Sequence, residues 1–180
     1  MKKLIALLSV LVVLFTFVAC SDIEPVKVGS MNTNKTENNG TEQNESGDPI
    51  FSVGDTAMLN DINVTLVGVF ESTGSEYFKP ADGKVFIQCE FNIENNSKED
   101  LAVSSLMCFD TYCDDYACEL SISAMVEDNG KAQLDGTVAP GKKMNGVVGY
   151  EVPENWQELE IRFTPDIMSN KSIIFVATNN

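Results

Sequence analysis

From residue 50 onward the chain is written with a period of two. In KVFIQCEFNIEN, Val85, Ile87, Cys89, Phe91 and Ile93 fall on one side, and Gln88, Glu90 and Asn92 on the other. INVTLVGVF sets Ile62, Val64 and Leu66 against Asn63 and Thr65, and ELEIRF sets Leu159, Ile161 and Phe163 against Glu158, Glu160 and Arg162. Successive side chains of a strand point to opposite faces, so alternation of this kind marks half-buried strands. Turn formers separate the runs: Asn60-Asp61, Asp82-Gly83, Asn95-Asn96, Asp128-Asn129-Gly130, Pro140-Gly141 and Pro153. Short strands at this spacing predict an all-β antiparallel sandwich or barrel. No amphipathic helix and no fixed repeat stands out, although LAVSSLMCF also reads as a short helix. Residues 50–180 suffice for one domain with its own core.

The first nineteen residues have a different grammar. Lys2 and Lys3 precede an almost wholly apolar run, Leu4 to Ala19, interrupted by Ser9 and Thr16. As a helix the run would span roughly 24 Å, short of the ~30 Å hydrocarbon core of a bilayer, which is the length of a signal peptide. It stops at Cys20, preceded by Phe17, Val18 and Ala19. This resembles the lipobox of bacterial lipoproteins, which implies cleavage before Cys20 and acylation of its thiol (palmitate or a similar chain). Two or three acyl chains, each worth ~0.8 kcal/mol per buried CH₂, would hold the protein to the outer face of the cell membrane. Residues 20–49 are then expected to be a disordered linker, because NTNKTENNGTEQNESGDP has almost no apolar surface to offset its ordering entropy.

Four segments, in order, carry a resemblance to a known family: FSVGDTAMLNDINVTLVGV, GKVFIQCEFNIENNSKEDLAV, TVAPGKKMNGVVGYEVPEN and LEIRF. Together they resemble the domain of unknown function 4352, which is common on bacterial lipoproteins and similar to the mycobacterial immunoprotective extracellular protein family. The anchors are Gly54-Asp55, Ile93 to Asn95, Pro140-Gly141, Gly146 and Val152-Pro153. The resemblance implies an immunoglobulin-like β-sandwich over residues 50–180. It implies no catalytic residues.

Composition narrows the function further. The chain carries 12 basic and 27 acidic residues, a formal net charge of −15. Every acidic residue follows Cys20, so loss of Lys2 and Lys3 gives 10 − 27 = −17. Such a field repels nucleic acid and favours cations and basic proteins. There is no histidine. That removes Ser-His-Asp and Cys-His nucleophilic sites and imidazole-ligated zinc. No phosphate-binding loop or dinucleotide fingerprint is present. The chain reads as a non-enzyme.

The remaining candidates cluster between residues 108 and 119. Cys89, Cys108, Cys113 and Cys118 follow the anchor, and three full pairings are open. A hairpin turning near Cys113-Asp114-Asp115 would let Cys108 and Cys118 face each other as a disulfide, with Cys89 a buried free thiol. A metal-binding or disulfide-active module around Cys108–Cys118 is the alternative, although the gaps sit at the edge of zinc spacing. Acidic neighbours work against a nucleophilic Cys113. Asp110, Asp114 and Asp115, with Glu119, offer oxygen ligands for calcium, without the EF-hand order. Tyr77, Phe78, Tyr112, Tyr116 and Trp156 read as cover for a sandwich core. The whole predicts a membrane-tethered binding or interaction domain. An envelope or extracellular protein is its expected partner, and a structural or stress-related envelope component is the other reading.

Overall fold

The alternating segments fold as strands. A computed structural model describes residues 23–31, 42–43, 48–126, 130–169 and 171–179. The predicted signal peptide (1–19) and Cys20 lie outside these residues. In chain order the elements are β1 (Val26–Ser30), β2 (Glu42–Gln43), β3 (Pro49–Ser52), β4 (Asp55–Leu59), β5 (Ile62–Ser72), β6 (Lys84–Asn95), β7 (Leu101–Val103), β8 (Phe109–Cys113), β9 (Tyr116–Ala117), α1 (Ile122–Val126), β10 (Gly136–Val138), β11 (Lys143–Pro153), β12 (Glu158–Phe163) and β13 (Ile173–Thr178).

Two sheets face each other. One has the order β1-β4-β5-β6-β11, the other β2-β3-β13-β12-β8-β9, and β10-β7 form a small ribbon. The inward residues meet between the sheets. Phe91 of the first sheet stacks against Phe109 and Phe175 of the second at 5.3 and 5.7 Å, and Phe109 continues to Phe163 at 5.0 Å. These distances suit offset and edge-on aromatic packing. Among the described residues the strand pairs are antiparallel except that β3 runs parallel to β13, Ile50 opposite Ile174.

Three expectations need correction. Gln88 and Glu90 were expected outward, yet each is only 5% exposed. α1 and the segment after it cover the outer face of β6 and β11. Gln88 Nε2 donates to the Ala124 carbonyl at 2.5 Å, and Lys131 Nζ and Asn145 Nδ2 donate to Glu90 Oε1 at 2.5 and 2.9 Å. β11 admits this cover through glycine. A Cβ on Gly149 would lie 2.8 Å from the Met125 nitrogen, and one on Gly146 would lie 2.6 Å from the Ala132 carbonyl oxygen. The helical reading of LAVSSLMCF also fails, because Leu101–Val103 pairs with β10 and the chain then turns through Ser104 to Cys108. Finally, the predicted linker contains strands. β1 pairs along the free edge of β4, Val26 opposite Met58 and Ser30 opposite Asp55, and β2 pairs with β3. Edge pairing satisfies backbone groups whatever the side chains, so polar composition did not forbid it. Lys27 adds an ion pair to the buried Asp55 at 2.7 Å. The rest of the linker lies outside the described residues.

The registers give the sandwich two distinct ends. β1 enters beside Met58, close to the Asn60-Asp61 turn, and Glu24 is ion-paired with Lys171 in the loop before β13. The Ser104–Cys108 turn joins the same end through Thr164 N–H to the Cys108 carbonyl, 2.9 Å. The opposite end carries the β8–β9 turn, Trp156 and the chain around Glu154.

Candidate functional site at the far end of the sandwich

The β8–β9 hairpin turns on Asp114 and Asp115, both left-handed with φ of 48° and 69°. Two consecutive positive φ values make the tight primed turn that matches strand twist, and aspartate tolerates the conformation better than most residues. Asp114 then reaches across to the next strand. Its carboxylate accepts the N–H groups of Gln157 (3.0 and 3.2 Å) and Glu158 (2.9 Å), which ties the hairpin to the start of β12.

Beside this turn lies a shallow depression of about 120 Å³ on the outer face of β8 and β12, lined by Tyr112, Asp114, Asp115, Glu158, Glu160 and Arg162. Arg162 stacks over Tyr112 at 5.1 Å from the ring centre and pairs with Glu160 at 2.5 Å. Asp114 is engaged by backbone. Asp115 and Glu158 are exposed and give the rim its negative charge. The volume is well below the ~300 Å³ of an ordinary small-molecule pocket. It is the size of one side-chain head, and its charge suits a cationic one.

The sequence candidates separate here. Asp114 and Asp115 line the depression, whereas Asp110 sits lower on β8, opposite Arg162. Among the described residues no three carboxylates or thiols converge to hold a metal. The calcium candidates Asp110, Asp114 and Asp115 do not converge: strand geometry spreads Asp110 away, and backbone N–H groups engage Asp114.

The Cys108–Cys118 pairing also fails. The register sets Cys113 opposite Tyr116 and Tyr112 opposite Ala117, and Cys118 N–H donates to the Thr111 carbonyl at 2.8 Å. Thr111, not Cys108, is thus the cross-strand neighbour of Cys118. Cys108 lies at the other end of β8, against Ser104. All four described cysteines are free thiols. Burial pushes the Cys113 thiol up to about 12, reinforced by Cys118 and Asp114. Burial likewise raises Cys89, Cys108 and Cys118. Such thiols stay protonated at neutral pH, the opposite of an activated nucleophile.

The aromatic expectation divides. Trp156 joins the core, its Nε1–H donating to Glu71 at 3.1 Å, while Tyr77 and Tyr116 are 84% and 80% exposed. Glu158, Glu160 and Arg162 were missed as site residues. Their alternation already set them outward, but only the pairing of β12 with β8 brings them to Asp114.

Two facing sheets with a tight acidic hairpin at one end define a small β-sandwich domain. The chain is a member of the family "Domain of unknown function (DUF4352)", whose model matches residues 51–173. Its fold is shared with ycdA of Bacillus subtilis, which carries a lipoprotein designation (TM-score 0.58, 21% identity). That match covers 68% of this chain, which spans only 38% of the Bacillus protein. The yjhA protein of the same organism is similar at TM-score 0.55 and 19% identity over 72% of this chain and 99% of its own. An uncharacterised β-sandwich protein of Clostridium difficile aligns with 80% of this chain and 99% of its own at TM-score 0.49 and 17% identity. No curated protein matches the chain. Among the described residues no helix is long and apolar enough to cross a membrane.

Proposed function

We propose that the protein is a lipid-anchored, extracytoplasmic binding module. It is held at the bacterial cell membrane through Cys20 and presents its far end to a basic protein of the envelope or surroundings. It carries out no reaction of its own. The carrying observation is the polarity of the sandwich. Glu24, which follows Cys20 by four residues, is ion-paired to Lys171 at the near end, and the acidic hairpin lies at the opposite end. Four residues of extended chain reach at most about 14 Å, so the anchor sets the near end against the bilayer.

Two further features support this orientation. Leu106, Met107, Ile167 and Met168 are exposed on the near-end loops and would lie at the lipid interface. The acidic field disfavours broader contact with anionic headgroups. Membership of the DUF4352 family, and a fold shared with a Bacillus subtilis protein designated a lipoprotein, support a surface role. The lack of histidine and the raised thiols support the absence of catalysis.

The test is chemical cross-linking on living cells with the full-length tagged protein, beside a Cys20→Ala control, read by mass spectrometry. A small set of basic partners that vanishes in the control is the expected result. No partner above background overturns the reading and favours a structural envelope component.

A further inference from the structure

The hairpin that rims the depression contains the two thiols best placed to react with each other. Cys113 ends β8 and points into the core, 5% exposed, while Cys118 follows β9 and is only half-buried. Four residues separate them, and two of those form the fixed turn. The Cys118 N–H bond to Thr111 holds the returning chain in register, and Cys118 packs against the same core as Cys113, diagonally across the hairpin from it. Cys108 is removed to the other end of β8, and Cys89 is wholly buried in the facing sheet. We propose that Cys113 and Cys118 are a redox pair that closes into a disulfide outside the cytoplasm and locks the hairpin at the sheet edge.

The oxidant is a disulfide, RS–SR, carried by a protein or a small molecule. Cys118, the accessible thiol, loses its proton to solvent and attacks one sulfur of RS–SR. The S–S bond breaks, RSH leaves with a proton, and Cys118 is held as a mixed disulfide. Cys113 then loses its proton and attacks Cys118 Sγ, which expels the second RSH. Two protein thiols are oxidised to one disulfide and one RS–SR is reduced to two RSH. Thiols held protonated by burial make the exchange slow. That suits a bond formed once after export, not a catalytic cycle. β9 has only two residues and borders solvent, so it gains most from a covalent tie.

The test uses the full-length protein in detergent, treated with oxidised glutathione, alkylated, and cut before aspartate. That cleavage places Cys89, Cys108, Cys113 and Cys118 on separate fragments. Expected is a single linked pair, the fragment ending at Cys113 joined to the one beginning at Asp115, which dithiothreitol releases. In Cys113→Ser, glutathione should be trapped on Cys118. In Cys118→Ser, Cys113 should acquire none. Four alkylated thiols after oxidation, or a link from Cys118 to Cys108 or Cys89, would overturn the proposal.

Discussion

Asp114 does two separable jobs, and three substitutions distinguish them. Its backbone is left-handed (φ 48°), and its carboxylate accepts N–H groups from Gln157 and Glu158. Asp114→Gly keeps the backbone freedom and removes the acceptor. Two exposed hydrogen bonds contribute roughly 2–3 kcal/mol together, at about 1–1.5 kcal/mol each. Asp114→Ala loses the same bonds and adds about 1 kcal/mol of left-handed strain, for a total of roughly 3–4 kcal/mol. Asp114→Asn retains one acceptor and tolerates the turn, so about 1 kcal/mol is expected. Urea unfolding followed by the fluorescence of Trp156, which is buried beside this end, measures all three. The order should be Asn, Gly, Ala in rising cost. If Gly matches the wild type, the carboxylate does not tie the hairpin to β12. If Ala equals Gly, the backbone strain is not real.

Three further outcomes are expected. Gly149→Ala would drive a Cβ to within 2.8 Å of Met125 and lift α1 from the sheet. Overpacking of this kind costs roughly 1–3 kcal/mol. Calorimetry should show a fall in Tm of about 2–4 °C for each kcal/mol. Burial raises the Glu90 carboxyl, but hydrogen bonds from Lys131 and Asn145 and the Lys131 charge outweigh it, so the net shift is downward from 4.5. A carboxyl lowered in the folded state stabilises fully above its unfolded value and loses that contribution as the pH falls through the folded one. Denaturation between neutral pH and pH ~3 should therefore show a shallower acid loss for Glu90→Gln than for the wild type. Growth of the host with an alkyne-bearing fatty acid should label the wild-type protein in the membrane fraction. Cys20→Ala should remain unlabelled.

How much of this was legible in the residues depends on the range of the interaction. The strands were, because alternation is a local pattern and a sheet face rewards it directly: Val85, Ile87, Cys89, Phe91 and Ile93 all lie in the core. The second burial of β6 was not. Gln88 and Glu90 look like solvent residues, and only the return of Ala124 and Lys131, some forty positions on, supplies their partners. β1 was hidden for a related reason, since an edge strand draws on backbone pairing and needs no apolar face. At the site the turn residues Asp114-Asp115 were visible. The register was not, and a shift of three residues separates the expected Cys108 partner from the observed Thr111. Cross-strand neighbours are set by the whole hairpin, and the spacing of two cysteines does not encode it.

In the proposed arrangement one end of the sandwich is anchored and the other binds a partner. Site-specific photo-cross-linking in living cells tests this directly, with a photoreactive amino acid placed at Asp115 or at Met168 of the full-length protein. Capture of a basic protein from position 115 and of lipid from position 168 is the predicted result. Lipid adducts at position 115, or protein capture confined to position 168, would contradict it.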